Sequence, residues 1–207
     1  LSETRGAEFR VGAEYVAMLQ PFVCREEYRY YLLGVHVSAH PKKGVLCAAT
    51  DGNILGVFWD EYGECTVPGT VRLSKSTLST CKKIKGENMP RQLVVSGDTA
   101  SVYSGYDADR KEGILLAAQD HAILDGTFPD YKKIVPTLPN HAEVATFNSR
   151  LLKSFESIKG YNGESPHLRI HANGAEPALV LTQRHDFIGV IMPMRGDHVM
   201  PEFLQAA

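Results

Sequence analysis

The feature that most limits what this chain can fold into is an internal repeat. A short strand, an amphipathic helix and three further strands recur three times along 207 residues. The first copy, about residues 8–60, opens with a strand at Glu8–Val11 and a helix near Gly12–Val23. Val16, Leu19 and Val23 share one face of that helix, and Pro21 ends or kinks it early. Apolar runs at Tyr30–Ser38, Gly44–Thr50 and Ile54–Trp59 follow as strands, divided by turn signals at His40-Pro41 and Asp51-Gly52-Asn53. The second copy, about 68–124, restarts with a strand at Thr70–Leu73 and a helix capped by Ser74. That helix is expected to end near Lys85-Gly86, with a stripe of Leu78, Cys81 and Ile84. Strands at Gln92–Ser96, Thr99–Ser104 and Gly113–Ala118 follow, with Gly97-Asp98 as a hairpin turn. The third copy places a strand at Glu143–Phe147, an N-cap at Asn148 and a helical face of Leu151, Leu152, Phe155 and Ile158. Its strands are His167–His171, Ala178–Thr182 and Phe187–Met192.

One such unit has a sheet with an apolar face and a single helix to cover it. Pairing two units doubles the helix layer and lets sheets join edge to edge. The expected architecture is therefore α+β, with antiparallel sheets and helices on one face. Residues 1–138 would form one domain of two units, and 139–207 a third, half-domain unit with a C-terminal tail. Three is an odd number, so one unit lacks an internal partner and leaves an edge for another subunit.

Between the second and third copies lies the stretch 125–136, Asp-Gly-Thr-Phe-Pro-Asp-Tyr-Lys-Lys-Ile-Val-Pro. Asp125-Gly126 supplies a turn, and Pro129 and Pro136 keep the segment out of both neighbouring elements. Phe128, Tyr131 and Ile134 recur every three residues, as in a short turn with one apolar face. Taken alone, this is ordinary connective structure.

Hydrophobic residues make up 43% and charged residues 22%, enough apolar material for a core in an ordinary globular balance. No run of about 18 apolar residues marks a membrane span. The first residues, Leu1–Arg5, show neither a signal-peptide pattern nor an initiating Met, so a processed or trimmed chain is expected. A formal charge of −2 argues against nonspecific nucleic-acid binding over the whole surface, while leaving room for one basic face. Cys24, Cys47, Cys65 and Cys81 are widely spaced and include no Cys-x-x-Cys pair. They read as buried thiols in a reducing, cytoplasmic setting. Gly-x-Ser-x-Gly, P-loop and His-Glu-x-x-His patterns are missing, so no enzyme activity and no cofactor are expected. The pairs His36/His40 and His167/His171 have a spacing that makes a metal pair on a helix. They fall in strands or at a strand end, and no metal site is assigned.

Four stretches, in order along this repeat, resemble the bacterial replicative DNA sliding clamp, the β subunit of DNA polymerase III. They are Arg29-Tyr30-Tyr31-Leu32-Leu33-Gly34, Ala49-Thr50-Asp51-Gly52-Asn53-Ile54-Leu55, the 125–136 hinge, and Val190-Ile191-Met192-Pro193-Met194-Arg195. Residues 8–136 correspond to that family's middle domain and 143–195 to the second half of its last. The resemblance implies the DNA-clamp fold, in which twelve such units form a ring; at three units per chain, four chains supply twelve. It also implies a homo-oligomer with two kinds of partner, double-stranded DNA without sequence preference and short clamp-binding peptides of polymerase, clamp-loader or repair proteins.

The family's peptide pocket maps onto Leu32, Thr50, Gly52, Leu55, Pro129, Lys133, Ile134, Met192, Pro193, Met194 and Arg195. The side chains suit that role. The methionines can repack around varied ligands, while prolines fix the backbone at little entropic cost. For DNA, the family lines its hole with helices whose Lys and Arg touch phosphates loosely, because base-specific bonds would stop sliding. The corresponding residues are Lys75, Lys82, Lys83 and Lys85 by the second helix, with Arg150, Lys153 and Lys159 on or just after the third. Arg29, Tyr30 and Tyr31 match the family's loop that touches single-stranded template. Two departures stand out. Asn53-Ile54 replaces a His-Arg pair, removing a cation from the pocket rim, and Gly196–Ala207 continues past the family's usual end, where it could cover the pocket or form a subunit contact. The expected function is a sliding-clamp-like processivity factor. The alternative is a non-encircling module that only captures clamp-binding peptides, consistent with a first helix whose only charge is Glu14.

Overall fold

The computed structural model describes residues 6–82, 89–136 and 145–195. β1 (Ala7–Gly12) leads into α1 (Ala13–Leu19), and Pro21 converts the next turn into a 3-10 segment, Gln20–Phe22. A second 3-10 segment, Glu27–Leu32, precedes β2 (Val35–Ala39), β3 (Val45–Thr50) and β4 (Ile54–Asp60). β5 (Glu64–Val67) closes the first copy of the repeat.

The second copy runs through β6 (Gly69–Val71), α2 (Lys75–Cys81), β7 (Arg91–Gly97), β8 (Thr99–Asp107), β9 (Glu112–Gln119) and the short β10 (Ile123–Leu124). The hinge contributes one 3-10 turn, Tyr131–Lys133. α3 (Ser149–Ser154), a 3-10 turn at Phe155–Ser157, β11 (Arg169–Asn173), β12 (Glu176–Leu181) and β13 (Phe187–Ile191) complete the third copy.

The strands form two antiparallel sheets, ordered β5-β1-β7-β8-β9 and β10-β6-β2-β3-β4-β13-β12-β11. The first two copies exchange their opening strands. β1 pairs with β7, Phe9 opposite Val95, and so belongs to the second copy's sheet. β6 pairs with β2, Val71 opposite Val35, and belongs to the first copy's. The sheets therefore do more than abut; each unit is completed by the other's first strand. α1 packs against strands of both sheets and against α2, and the apolar side chains between them form one continuous core.

The third copy joins differently. β13 pairs with the edge of β4 from Phe187–Phe58 to Ile191–Ile54, so the larger sheet runs unbroken into it. Opposed at the centre are two glycines, Gly56 and Gly189. A Cβ on Gly189 would lie 2.4 Å from the Phe155 ring, and one on Gly56 2.9 Å from Leu19. Bare backbone here lets the helical layer sit directly on the seam, where Phe22 and Phe155 meet edge to face at 5.0 Å. The Ser157 hydroxyl donates to the Met18 carbonyl at 2.7 Å across the same seam.

Three expectations need correction. The apolar run Tyr30–Ser38 is not one strand: Glu27–Leu32 is 3-10, and pairing begins only at Val35. Gly34 passes so close to the Val71 carbonyl that a Cβ would lie at 2.4 Å, which sets where β2 can start. α2 ends at Cys81 and Lys82 is already extended, a turn earlier than the stripe suggests. Ser79 and Thr80 hydroxyls bond back to the Ser76 carbonyl at 2.6 and 3.2 Å, competing with helix continuation. Of the strand expected at Glu143–Phe147, the described residues show one isolated bridge, Thr146 with Met194. Lys83, Ile84, Lys85 and the tail Gly196–Ala207 lie outside the described residues.

Candidate functional site

The turn between β3 and β4 is built from its own side chains. Thr50, buried, donates its hydroxyl to the Ile54 carbonyl at 2.7 Å and accepts the Gly52 amide at 3.0 Å. The Asp51 carboxylate accepts the amides of Asn53 and Ile54 at 2.8 and 3.0 Å. Gly52 has φ +94°, and a Cβ there would sit 2.7 Å from Arg29 Nη1, so glycine serves both conformation and space. Arg29 donates to the Asp51 carbonyl at 3.0 Å and pairs with Glu26 at 3.4 Å. It thereby ties the 3-10 segment carrying Tyr30, Tyr31 and Leu32 to the turn.

Below the turn lies a second apolar cluster, made by Cys24, Leu32, Ala48, Leu55, Val57, Phe128, Tyr131 and Val190, with Tyr31 and Val135 packed on it. Hinge, first copy and third copy thus share one small core. Phe128 stacks on the His36 ring at 4.8 Å and 6°. Burial, and then the Lys132 charge, lower the His36 pKa to about 4, so the imidazole is neutral near pH 7. At the end of β13 the Met192 amide donates to the Asn53 carbonyl at 2.8 Å, and the Met194 amide to Thr146 at 2.7 Å. The methionine segment is therefore fastened to the β3–β4 turn.

The expected pocket residues divide by exposure. Leu32, Thr50 and Leu55 are buried, whereas Ile134, Met192 and Met194 are exposed at 48%, 38% and 51%. Pro129, Lys133 and Arg195 are also exposed and Pro193 is half-buried, and Lys133 pairs with Asp130 at 3.1 Å. Leu32 and Leu55 thus belong to the buried cluster, whereas Ile134, Met192 and Met194 leave apolar side chains in solvent. Tyr30, exposed at 52%, leans over Gly126, where a Cβ would lie 3.1 Å from its ring.

A second surface lies along α1. A trough of about 1260 Å³ has Glu14, Tyr15, Ala17, Met18 and Pro21 on its floor. Lys75, Leu78, Ser79 and Lys82 line one wall; Ser157, Lys159–Gly163 and Arg184 line the other. Its lining thus includes three lysines and one carboxylate, Glu14. Arg150 and Lys153 are exposed on α3 but do not line the trough, and neither do Arg29, Tyr30 or Tyr31.

The far wall rests on a group that the sequence did not mark. Arg184, only 7% exposed, grips Asp186 through two bonds of 2.8 and 2.6 Å and donates to the Lys159 carbonyl at 3.0 Å. Its guanidinium lies 4.5 Å from the Tyr161 ring and 5.2 Å from Phe58. Burial, and then the Asp186 carboxylate, push the Tyr15 hydroxyl up, so it remains a neutral donor. Arg184 sits in a short turn between β12 and β13, and only the tertiary fold shows what it touches. Among the described residues no group of three or more His, Cys, Asp or Glu side chains converges as a metal site, and no helix is long and apolar enough to cross a membrane.

Strand-exchanged two-sheet units, joined edge to edge with their helices on one face, define the DNA-clamp fold. Solved structures of bacterial sliding clamps, DNA polymerase III subunit β, share it. The clamp of Caulobacter crescentus superposes with a TM-score of 0.60 at 19% identity, covering 95% of this chain and 67% of that one. The Thermotoga maritima subunit gives 0.59 at 14% identity, over 93% and 66%. The Bartonella birtlesii clamp, solved with griselimycin bound, gives 0.58 at 16% identity, over 95% and 68%. The chain spans about two thirds of the length of these clamps, and at such identities the likeness establishes the fold. No protein-family model matches the sequence, and no curated protein matches it.

Proposed function

We propose that this chain is a non-enzymatic, clamp-like processivity factor of the cytoplasm. It tethers replication proteins through short peptides seated at the hinge surface. As an oligomer it surrounds duplex DNA, with the α1 trough turned to the phosphates. The observation that carries the reading is the β4–β13 seam. The Met192 amide bonded to the Asn53 carbonyl, and Val190 packed in one cluster with Leu32, Leu55 and Phe128, support the reading that these motif segments act together.

The chemistry suits a peptide with one or two apolar anchors. Met192 and Met194 offer polarizable side chains that repack, over a floor already fixed by the hinge core. Arg29 and Lys133 stand at the rim for backbone carbonyls or an acidic residue. Griselimycin, bound by the Bartonella birtlesii clamp, and a synthetic clamp-binding peptide are suitable probes for calorimetric titration. Met192→Ala with Leu32→Ala is expected to weaken binding at least ~10-fold, or about 1.4 kcal/mol. Unchanged affinity would remove the hinge surface from the account.

For DNA, Lys75, Lys82 and Lys159 supply loose phosphate contacts. Replacing each by Glu should lower the salt slope of plasmid binding by about one. Retention on a nicked circular plasmid that is lost on linearisation is the expected sign of a topological link. A second reading, a peptide-binding module that does not encircle DNA, is favoured by α1, whose only charge at the trough floor is Glu14. Equal release from circular and linear plasmids would select it.

A further inference from the structure

Of the three lysines that line the α1 trough, Lys75 opens α2 and Lys82 follows its last residue. Lys159 has no such support. It lies past α3 and past the 3-10 turn Phe155–Ser157, in a loop that closes on itself. There the Gly160 amide donates to the Glu164 carbonyl at 3.0 Å, and the Gly163 amide to the Gly160 carbonyl at 2.9 Å. Three consecutive residues of the β12–β13 turn tie this loop to the sheet. Arg184 Nη1 donates to the Lys159 carbonyl at 3.0 Å, and the Tyr161 hydroxyl lies 2.7 Å from His185 Nδ1 and 3.4 Å from Asp186 Oδ1. Asp186 also accepts the Tyr15 hydroxyl of α1 at 3.4 Å, and its backbone carbonyl accepts the Trp59 amide of β4 at 2.9 Å. Residues of α1, of the 159–163 loop and of the β4 seam therefore meet at one buried ion pair.

Apolar side chains of similar volume often hold a core as well as a buried ion pair does, so stability alone does not account for this one. Its geometry does more. Arg184 Nε and Nη2 take the two oxygens of Asp186 at 2.8 and 2.6 Å, which leaves Nη1 for the Lys159 carbonyl. An arginine makes both contacts at once because its fork is planar and rigid. The Tyr161 ring, 4.5 Å from the same guanidinium, is held with them. The side chains of Arg184 and Asp186 are 5% and 9% exposed and their charges cancel, so the pair adds no net charge to the trough. We infer that Arg184 is a positioning residue for DNA contact: it fixes the backbone at Lys159 and the ring of Tyr161, so that the Lys159 ammonium stands where a phosphate passes. A lysine rooted in this way has only its side chain left to order at each phosphate it meets.

The inference rests on the trough reading of the proposed function, and its test keeps the two apart. Binding of the full chain to plasmid DNA is measured across a salt series. Lys75→Gln, Lys82→Gln and Lys159→Gln are each expected to lower the salt slope by about one. Arg184→Met with Asp186→Leu leaves the net charge as it was, yet should lower the slope by about one as well. In that background Lys159→Gln should add nothing, while Lys75→Gln and Lys82→Gln keep their full effect. Circular dichroism checks that each variant is folded. Arg184→Lys, which keeps the charge beside Asp186 but not the fork, should act like the apolar pair and carries the test if that pair does not fold. An Arg184 that serves the core alone would shift the melting curve and leave the slope at its wild-type value, which would overturn the inference. So would Lys159→Gln with an unchanged slope, or with the same effect in both backgrounds. If Lys75→Gln and Lys82→Gln also left the slope untouched, the trough reading would fail and the positioning role with it.

Discussion

The β4 edge and the β9 edge are the same structural position in two copies of one unit, yet they have opposite fates. β4 reads Ile-Leu-Gly-Val-Phe-Trp-Asp and is buried along nearly its whole length, because β13 pairs with it and Phe155 roofs the joint. β9 reads Glu-Gly-Ile-Leu-Leu-Ala-Ala-Gln and is exposed on both faces through its first half. Hydrophobicity does not separate them, since both are apolar. What separates them is the covering element: glycine at 56 and 189 admits a helical layer at the seam, whereas among the described residues β9 has no strand paired on its outer side. A repeat fold is made stable one junction at a time, and an unfilled junction keeps the chemistry of a filled one.

The comparison breaks most visibly if the filled seam is hollowed. Phe155→Ala removes a fully buried ring that touches Phe22 and Phe187. It should cost about 3–5 kcal/mol by the usual cost of emptying an aromatic core position, read as a fall in the urea midpoint. Arg184→Ala comes next. It strands Asp186, whose side chain is 9% exposed, without its guanidinium. Removing one member of a buried pair costs about 3 kcal/mol or more. Arg184→Met with Asp186→Leu should recover much of it, since the apolar pair leaves no orphan charge.

Acid sharpens the same contrast. His36 is held near pKa 4 in the folded chain, against about 6.5 when unfolded. Between those values the unfolded chain binds the extra proton, so stability falls as pH drops from about 6.5 to about 4 and is flat for this group below that. The loss is at most about 3 kcal/mol, and His36→Gln should flatten the slope over that window. Because His36 stacks on Phe128, acid should also loosen the hinge and weaken peptide binding.

Much of this organisation is legible in the linear sequence. The three copies, the N-caps at Ser74 and Asn148, and the Gly97-Asp98 turn follow from local periodicity and hydrogen-bonding chemistry. The helix caps appear where expected, with Thr77 and Arg150 amides donating at 3.2 and 2.9 Å. What local pattern could not carry is pairing between distant segments. Strand exchange between β1 and β6 leaves no trace in either strand, because each is apolar whichever sheet it joins. Arg184 resembles any surface arginine in a turn until Asp186, Tyr161 and Phe58 close around it. By sequence Leu32 reads as strand because its neighbours are aromatic and aliphatic, but Gly34 at the Val71 carbonyl decides where pairing starts. Of the residues expected at the hinge, only the structure shows that Leu32 and Leu55 are buried while Met192 and Met194 are exposed.

The smallest expected effect is the most informative about the open edge. Leu115→Lys should change the stability of the chain by no more than about 0.5 kcal/mol, as ordinary surface substitutions do. Leu115 is more than half exposed, and its cross-strand neighbour is Tyr103, whose ring already packs on Tyr106 at 5.0 Å. A lysine stem can lie along those rings with its ammonium in water. The same substitution at Leu55, in the equivalent closing strand but 1% exposed, buries an unpaired ammonium and should prevent folding. If Leu115→Lys destabilised the chain by several kcal/mol, β9 would have to be covered from within. The two edges would then differ in what packs on them and not in whether they are covered.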